Sequence, residues 1–152
     1  MNAPVVRRAI PADGPDVRRF VFQTLRDYCI EIDLDGHDRD VLTFGDPKED
    51  ALEFVAELDG RPVGSVIITP RGDGSATLSK FYVDAACRGR GIGRPLLDFA
   101  VNAARAAGLR RLELDTRSCF HQAIHLYEST GWIPIPQPAI VGNCELFYAL
   151  DL

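Results

Sequence analysis

The stretch Val83-Asp84-Ala85-Ala86-Cys87-Arg88-Gly89-Arg90-Gly91-Ile92-Gly93-Arg94 combines residue types and spacing suited to chemistry. Gly89, Gly91 and Gly93 let the backbone turn tightly and admit a ligand close to it, with no Cβ in the way. An apolar helical pattern begins at once, so the loop opens onto a helix N-terminus. Unpaired N–H groups and the positive dipole end there suit a phosphate. Arg88, Arg90 and Arg94 add three positive charges. Pro95 fits the first helical turn, where its missing N–H would have had no intrahelical partner. Together with Ile92 these residues describe a pyrophosphate cradle. The plain alternative is a glycine-rich connection with solvated arginines; the strand before, the helix after and the arginine cluster outweigh it.

Two other phosphate motifs fit less well. A Walker A loop requires Lys-Ser or Lys-Thr after its glycines, and neither is present. A dinucleotide fingerprint would start correctly at Gly89-x-Gly91, with Asp115 placed as a ribose-binding acid. Arg94 then stands where a third glycine should allow close helix–strand packing.

Further along, Tyr127 shares a helical face with Phe120, Ala123 and Ile124, and spacing alone makes it a core aromatic. His121 and His125 are four apart, but Gln122 replaces the glutamate that zincin chemistry needs, so surface histidines are expected and no metal site. Glu31-Ile32-Asp33-Leu34-Asp35-Gly36 imitates the start of a calcium loop, yet Leu42 occupies the position of the bidentate glutamate. Residues 31–40 carry five acids against one arginine, either a solvated acidic loop or a field that attracts a cationic amine. Glu53 and Glu57 on a central strand, and Glu31 near the expected acceptor side, are the base candidates, and each reads as a solvated or structural carboxylate. No general base stands out, and ordered water can accept a proton instead.

These side chains must be positioned by a mixed α/β framework. Val5–Ile10 is a short strand ended by Pro11. Asp13 then caps a helix whose apolar face is Val17, Phe20, Val21, Thr24, Leu25 and Tyr28. Leu52, Phe54, Ala56 and Leu58 alternate with Glu53, Val55 and Glu57, and Asp59-Gly60 supplies a tight hairpin turn. Val63–Thr69 returns, the 71–75 cluster turns again and Thr77–Val83 follows, completing an antiparallel meander. Leu96, Leu97, Ala100, Val101, Ala104 and Ala107 trace a second helix stopped by Gly108. A strand over Leu109–Thr116, the helix bearing Tyr127 and a last strand over Cys144–Leu152 complete the order. Residues 77–116 therefore form a strand–helix–strand crossover, parallel and right-handed. The fold class is an α/β (α+β mixed-sheet) domain spanning residues 1–152 as a single unit.

Composition sets the remaining bounds. With 152 residues, 46% hydrophobic and 26% charged, the chain matches an ordinary globular protein, not a disordered one. A net charge of −5 argues against nucleic acid as a partner. Cys29, Cys87, Cys119 and Cys144 form no C-x-x-C pair and read as free thiols of a reducing cytoplasm. MNAPVVRRAIPADG lacks the apolar stretch of a leader, and no run approaches membrane-spanning length, so no membrane partner is expected.

Arg88-x-x-Gly91-x-Gly93, five residues past a strand ending Phe81-Tyr82-Val83, resembles the acetyl-CoA signature of the GNAT superfamily of N-acetyltransferases. Ala123-Ile124-His125-Leu126-Tyr127-Glu128-Ser129-Thr130-Gly131-Trp132 is similar to that family's second recurring segment. The resemblance implies a GNAT-like acyl-CoA N-acyltransferase fold and acetyl transfer from acetyl-CoA to a primary amine, on a small molecule or a peptide. It implies that backbone N–H groups of residues 88–94 hold the CoA pyrophosphate, and that the Phe81–Val83 edge pairs with the pantetheine arm. It implies that this strand splays from its parallel neighbour to offer an N–H to the thioester carbonyl. Tyr127 takes the position of the general acid for the departing thiolate. Phe120 departs from the family, where an asparagine often contacts the cofactor arm; that contact is either absent here or supplied by Ser118 or Gln122. A catalytically silent CoA-binding module is the alternative function. Such domains are often dimers. Acceptor selectivity is expected around residues 26–46 and 133–143.

Overall fold

The computed structural model describes residues 3–136 and 146–152. The strands are β1 (Val5–Arg8), β2 (Leu52–Leu58), β3 (Arg61–Pro70), β4 (Ser75–Val83), β5 (Arg111–Thr116), β6 (Ile133–Pro134) and β7 (Leu146–Asp151). The helices are α1 (Gly14–Asp27), α2 (Gly93–Ala106) and α3 (His121–Ser129). One sheet runs in the order β1-β2-β3-β4-β5-β7-β6. β1 to β4 are antiparallel neighbours, β4 and β5 are parallel, and β7 is antiparallel to both β5 and β6. This is the predicted mixed α/β sheet, with the meander followed by the parallel crossover.

Each face of the sheet has its own core. Val17, Phe20, Val21 and Leu25 of α1 pack with Val55 and Ile67. Leu96, Leu97, Ala100, Val101 and Ala104 of α2, with Tyr127 of α3, pack with Phe54, Ala56, Val66 and Ile68. Burying both faces explains why the period-two pattern in β2 did not mark an outer side. Val55 is fully buried under α1, and Glu53 is only 5% exposed. Gly64 of β3 is where α2 comes closest: an added Cβ would lie 2.9 Å from Leu96 Cδ2.

The turns follow their residue chemistry. Asp59 (φ +52°) and Gly60 (φ +80°) take the paired left-handed conformations of a primed hairpin turn. Gly108 (φ +82°) stops α2, leaving Ala107 just outside the helix and exposed.

Four local expectations are corrected. The first strand stops at Arg8 instead of Ile10. Asp13 occupies the cap position of α1 but its carboxylate makes no cap bond. It accepts from Arg7 at 2.8 Å twice and from the Ile10 N–H at 2.8 Å, because an arginine fork outcompetes a single amide. Phe120 precedes α3 and leaves the Tyr127 face altogether. It packs against Tyr28 and Tyr82, with ring centroids 5.0 Å and 6.1 Å away. Finally, the two-residue β6 was not foreseen among the prolines. The last strand is described from Leu146 only; Cys144 and Pro138 lie outside the described residues.

Candidate active site

A cleft of about 490 Å³ opens where β4 and β5 part. Their pairing runs Ser75↔Arg111, Ala76↔Leu112, Thr77↔Glu113 and then ceases. β4 continues to Val83 and β5 to Thr116, so the strands splay over the rest of their length. β4 carries a bulge within the stretch that has left β5. Ser65 pairs with Tyr82 and Ile67 with Ser79, so Val66 of β3 faces two residues, Lys80 and Phe81. Lys80 is the extra residue and takes a left-handed φ of +51°. The bulge shifts the side-chain alternation by one. Ala76 and Leu78 before it, and Phe81 and Val83 after it, all meet the α2 core, while Tyr82 turns to the α1 side.

Most of the sequence-predicted ligand residues converge on this cleft. Phe81, Tyr82, Val83, Arg88, Gly89, Gly91, Ile92, Gly93 and Arg94 all line it; Arg90 is exposed and stands outside the lining. Gly89 (φ +80°) and Gly91 (φ +71°) are left-handed, with nothing within 4 Å of where a Cβ would sit. Ile92 precedes α2 and offers no side-chain cap, so the first-turn N–H groups of Gly93 and Arg94 have no side-chain acceptor there. Backbone donors at a helix N-terminus, beside an open glycine loop, fit a diphosphate. Arg88 Nη2 donates to Thr24 Oγ1 at 3.2 Å within the lining, and Arg94 Nε lies 3.9 Å from Asp98.

Tyr127 lines the same cleft from α3 and is 4% exposed. Its ring lies 5.9 Å from Phe81, 5.7 Å from Trp132 and 6.0 Å from Tyr148. Burial pushes its phenol well above the usual tyrosine range, and the nearby Tyr82 and Asp115 add to the shift. The group therefore carries its proton at neutral pH.

A further wall of the cleft comes from α1 and the segment after it, through Thr24, Leu25, Tyr28, Ile30, Glu31 and Asp33. Gln122, His121 and His125 also line the cleft, and both histidines are exposed. Ser118 is not among the lining residues. Glu53 and Glu57 stand apart from it. Glu53 accepts from the Gly45 N–H and from Lys48 Nζ, both at 2.9 Å, and Glu57 pairs with Arg7 at 3.0 Å. The residue that sequence reasoning missed is Lys80. A lysine midway along a strand reads as a solvent-facing position, and only a break in the apolar alternation between Leu78 and Phe81 hinted at a bulge.

No cluster of metal-ligating residues occurs among the described residues, and none of their helices is long and apolar enough to cross a membrane.

A seven-stranded mixed sheet whose parallel pair splays beside a glycine-loop helix N-terminus defines a class of acyl-CoA-dependent transferases. The acetyltransferase (GNAT) family matches residues 18–132, and the chain belongs to that family. It is 31% identical over 144 residues to the uncharacterized N-acetyltransferase YjgM of Escherichia coli K12, covering 86% of this chain and 83% of that one. Over 60 residues it is 40% identical to the mycothiol acetyltransferase of Beutenbergia cavernae, a stretch covering 40% of this chain and 20% of that protein. A GNAT-family acetyltransferase from Staphylococcus aureus Mu50 superposes with a TM-score of 0.86 at 19% identity. The match covers 98% of this chain and 99% of the other. The protein is an acetyltransferase.

Proposed function

We propose that the chain works as one domain that transfers the acetyl group of acetyl-CoA to a primary amine by direct attack, with Tyr127 as the general acid. The observation that carries this reading is the meeting of two features in one cleft: β4 leaves β5 at Thr77, and the buried Tyr127 lines the opening.

Acetyl-CoA supplies the thioester. The N–H groups of residues 88–94 bind its diphosphate, and the part of β4 that has left β5, around Phe81–Val83, takes the pantetheine arm as an added strand. An N–H of the splayed strand donates to the thioester oxygen as negative charge develops there. The amine enters from the α1 side, past Tyr28, Ile30 and Glu31. Its nitrogen bonds to the carbonyl carbon, the C–S bond breaks, and Tyr127 gives its proton to the departing sulfur. The proton lost by the amine passes to water.

The acceptor is a small-molecule or peptide amine. Release of free CoA thiol, followed over a panel of amino acids, polyamines, mycothiol precursors and peptide N-termini, tests the reading. Tight CoA binding without turnover on any of them would overturn it in favour of a CoA-binding module.

A further inference from the structure

We infer that Lys80 is a positioning residue that clamps the acceptor wall of the cleft against the β4 bulge and thereby sets the enzyme's affinity for its amine. The inference rests on the acetyl-transfer reading, in which the α1 side of the cleft receives the acceptor.

Lys80 is held at both of its ends. Its backbone carbonyl accepts from the Ser65 hydroxyl at 2.8 Å inside the sheet. Its side chain, 3% exposed, sends Nζ to the His37 carbonyl oxygen at 2.8 Å, with Asp40 Oδ1 at 3.2 Å and Asp38 Oδ1 at 3.7 Å. The carbonyl accepts a hydrogen bond, the two carboxylates are ion-pair partners, and all three belong to the acidic stretch that follows α1. That loop is also tied internally: Asp38 Oδ2 accepts from the Asp33 N–H at 2.9 Å, and the Asp38 N–H donates to the Asp33 carbonyl at 2.8 Å. One ammonium therefore fastens a pre-formed loop to the strand that would hold the thioester.

The placement has two consequences. A left-handed φ disfavours any residue with a Cβ, and glycine would relieve it, so lysine at this position is explained by what its ammonium does. Lifting the loop would also leave a buried cation without its carboxylates, which is expensive, so the loop stays down. Lys80, Asp33, His37 and Asp38 all line the cleft, which makes the clamp part of the acceptor wall and not a distant strut. The charge of the acidic stretch is divided accordingly. Asp38 and Asp40 face Lys80, Asp33 accepts from the His37 N–H at 3.2 Å, and Glu31 in the cleft lining is left for a cationic acceptor.

The test compares Lys80→Gly, which keeps the left-handed backbone comfortable while removing the ammonium, with Lys80→Arg, which keeps a cation. Steady-state kinetics use the amine of the panel that the wild type acetylates fastest. Acetyl-CoA affinity is measured by calorimetry, and amide hydrogen exchange is followed in residues 33–40. Lys80→Gly should raise the amine KM at least tenfold, with kcat within about threefold and acetyl-CoA affinity within about twofold. Exchange in the loop should quicken at least tenfold, and Lys80→Arg should recover part of both effects. A wild-type amine KM with unchanged loop exchange would overturn the clamp, as would a parallel loss of kcat and acetyl-CoA affinity. Should Lys80→Gly fail to fold, Asp40→Asn gives the same readout, with a rise of about threefold in amine KM expected and an unchanged KM counting against the clamp. A wild type inactive on every amine defeats the acetyl-transfer reading alone. The exchange data still support the clamp if protection is lost in Lys80→Gly, and overturn it if protection is kept.

Discussion

The rings of Tyr127 and Phe81 lie 5.9 Å apart, centroid to centroid, and join α3 to the splayed part of β4. The residue proposed as general acid is thereby packed against the strand that would carry the thioester. Neither residue is near the other in sequence. Their contact exists because the bulge at Lys80 returns Phe81 to the α2–α3 side of the sheet.

Tyr127→Phe keeps this packing and removes the proton. It should lower kcat about 100-fold, the lower end for general acid catalysis, and leave acetyl-CoA affinity within about twofold. Because burial raises the phenol above its usual range, the wild type should show no alkaline loss of kcat from this group below about pH 10. An unchanged kcat in the variant would remove Tyr127 from the mechanism.

Gly91 is left-handed and has open space where a side chain would project. Gly91→Val places a β-branched side chain in the cradle and strains the loop by about 1–2 kcal/mol. Acetyl-CoA binding should weaken at least tenfold by calorimetry while circular dichroism still reports a folded protein. Wild-type affinity in that folded variant would refute the cradle.

Asp13 is 3% exposed and links β1 to the start of α1 through Arg7. Burial pushes its carboxyl up, but hydrogen bonds from Arg7 and from the Ile10 N–H outweigh it and hold it below the ordinary carboxylate range. The unfolded chain therefore takes up this proton at higher pH than the folded one. The stabilisation is present above about pH 4 and is lost as pH falls through the lower, folded value. Asp13→Asn should cost about 2 kcal/mol at pH 7, less than a fully buried pair because Arg7 is partly exposed, and flatten the acid limb of stability. Urea melts at several pH values measure both, and a variant as acid-sensitive as the wild type would contradict the assignment.

Glu53 separates structural from catalytic carboxylates. It holds the Gly45 N–H and Lys48 Nζ away from the cleft. Glu53→Gln should lower the melting temperature by several degrees and leave kcat and its pH profile within about twofold. A kcat loss of tenfold or more at unchanged stability would make Glu53 the missing base.

The elements that were readable in advance are those whose instructions are local. Asp59-Gly60 specifies a hairpin turn because two adjacent residues take φ > 0. The α2 face from Leu96 to Ala104 follows a 3.6-residue period, and the glycine loop before it announces itself by composition. The splay was expected only through the family resemblance. Helical spacing puts Phe120 on the Tyr127 face, but α3 starts one residue later, which frees the ring to cross towards Tyr28 and Tyr82. Asp13 was misassigned because its partner Arg7 comes from a strand, outside any capping rule.

By itself the sequence determined the mixed α/β class, the order of its elements, the glycine loop on a helix N-terminus and the family to which the chain belongs. The first three rest on periodicity or on backbone chemistry within a few residues, and the family rests on the resemblance of two motifs. Tertiary structure alone decided that β4 bulges at Lys80 and parts from β5, that Tyr127 faces that opening, and that a buried ammonium ties down the acidic loop. These depend on pairing between distant segments and on the cost of burying charge, which no local pattern encodes.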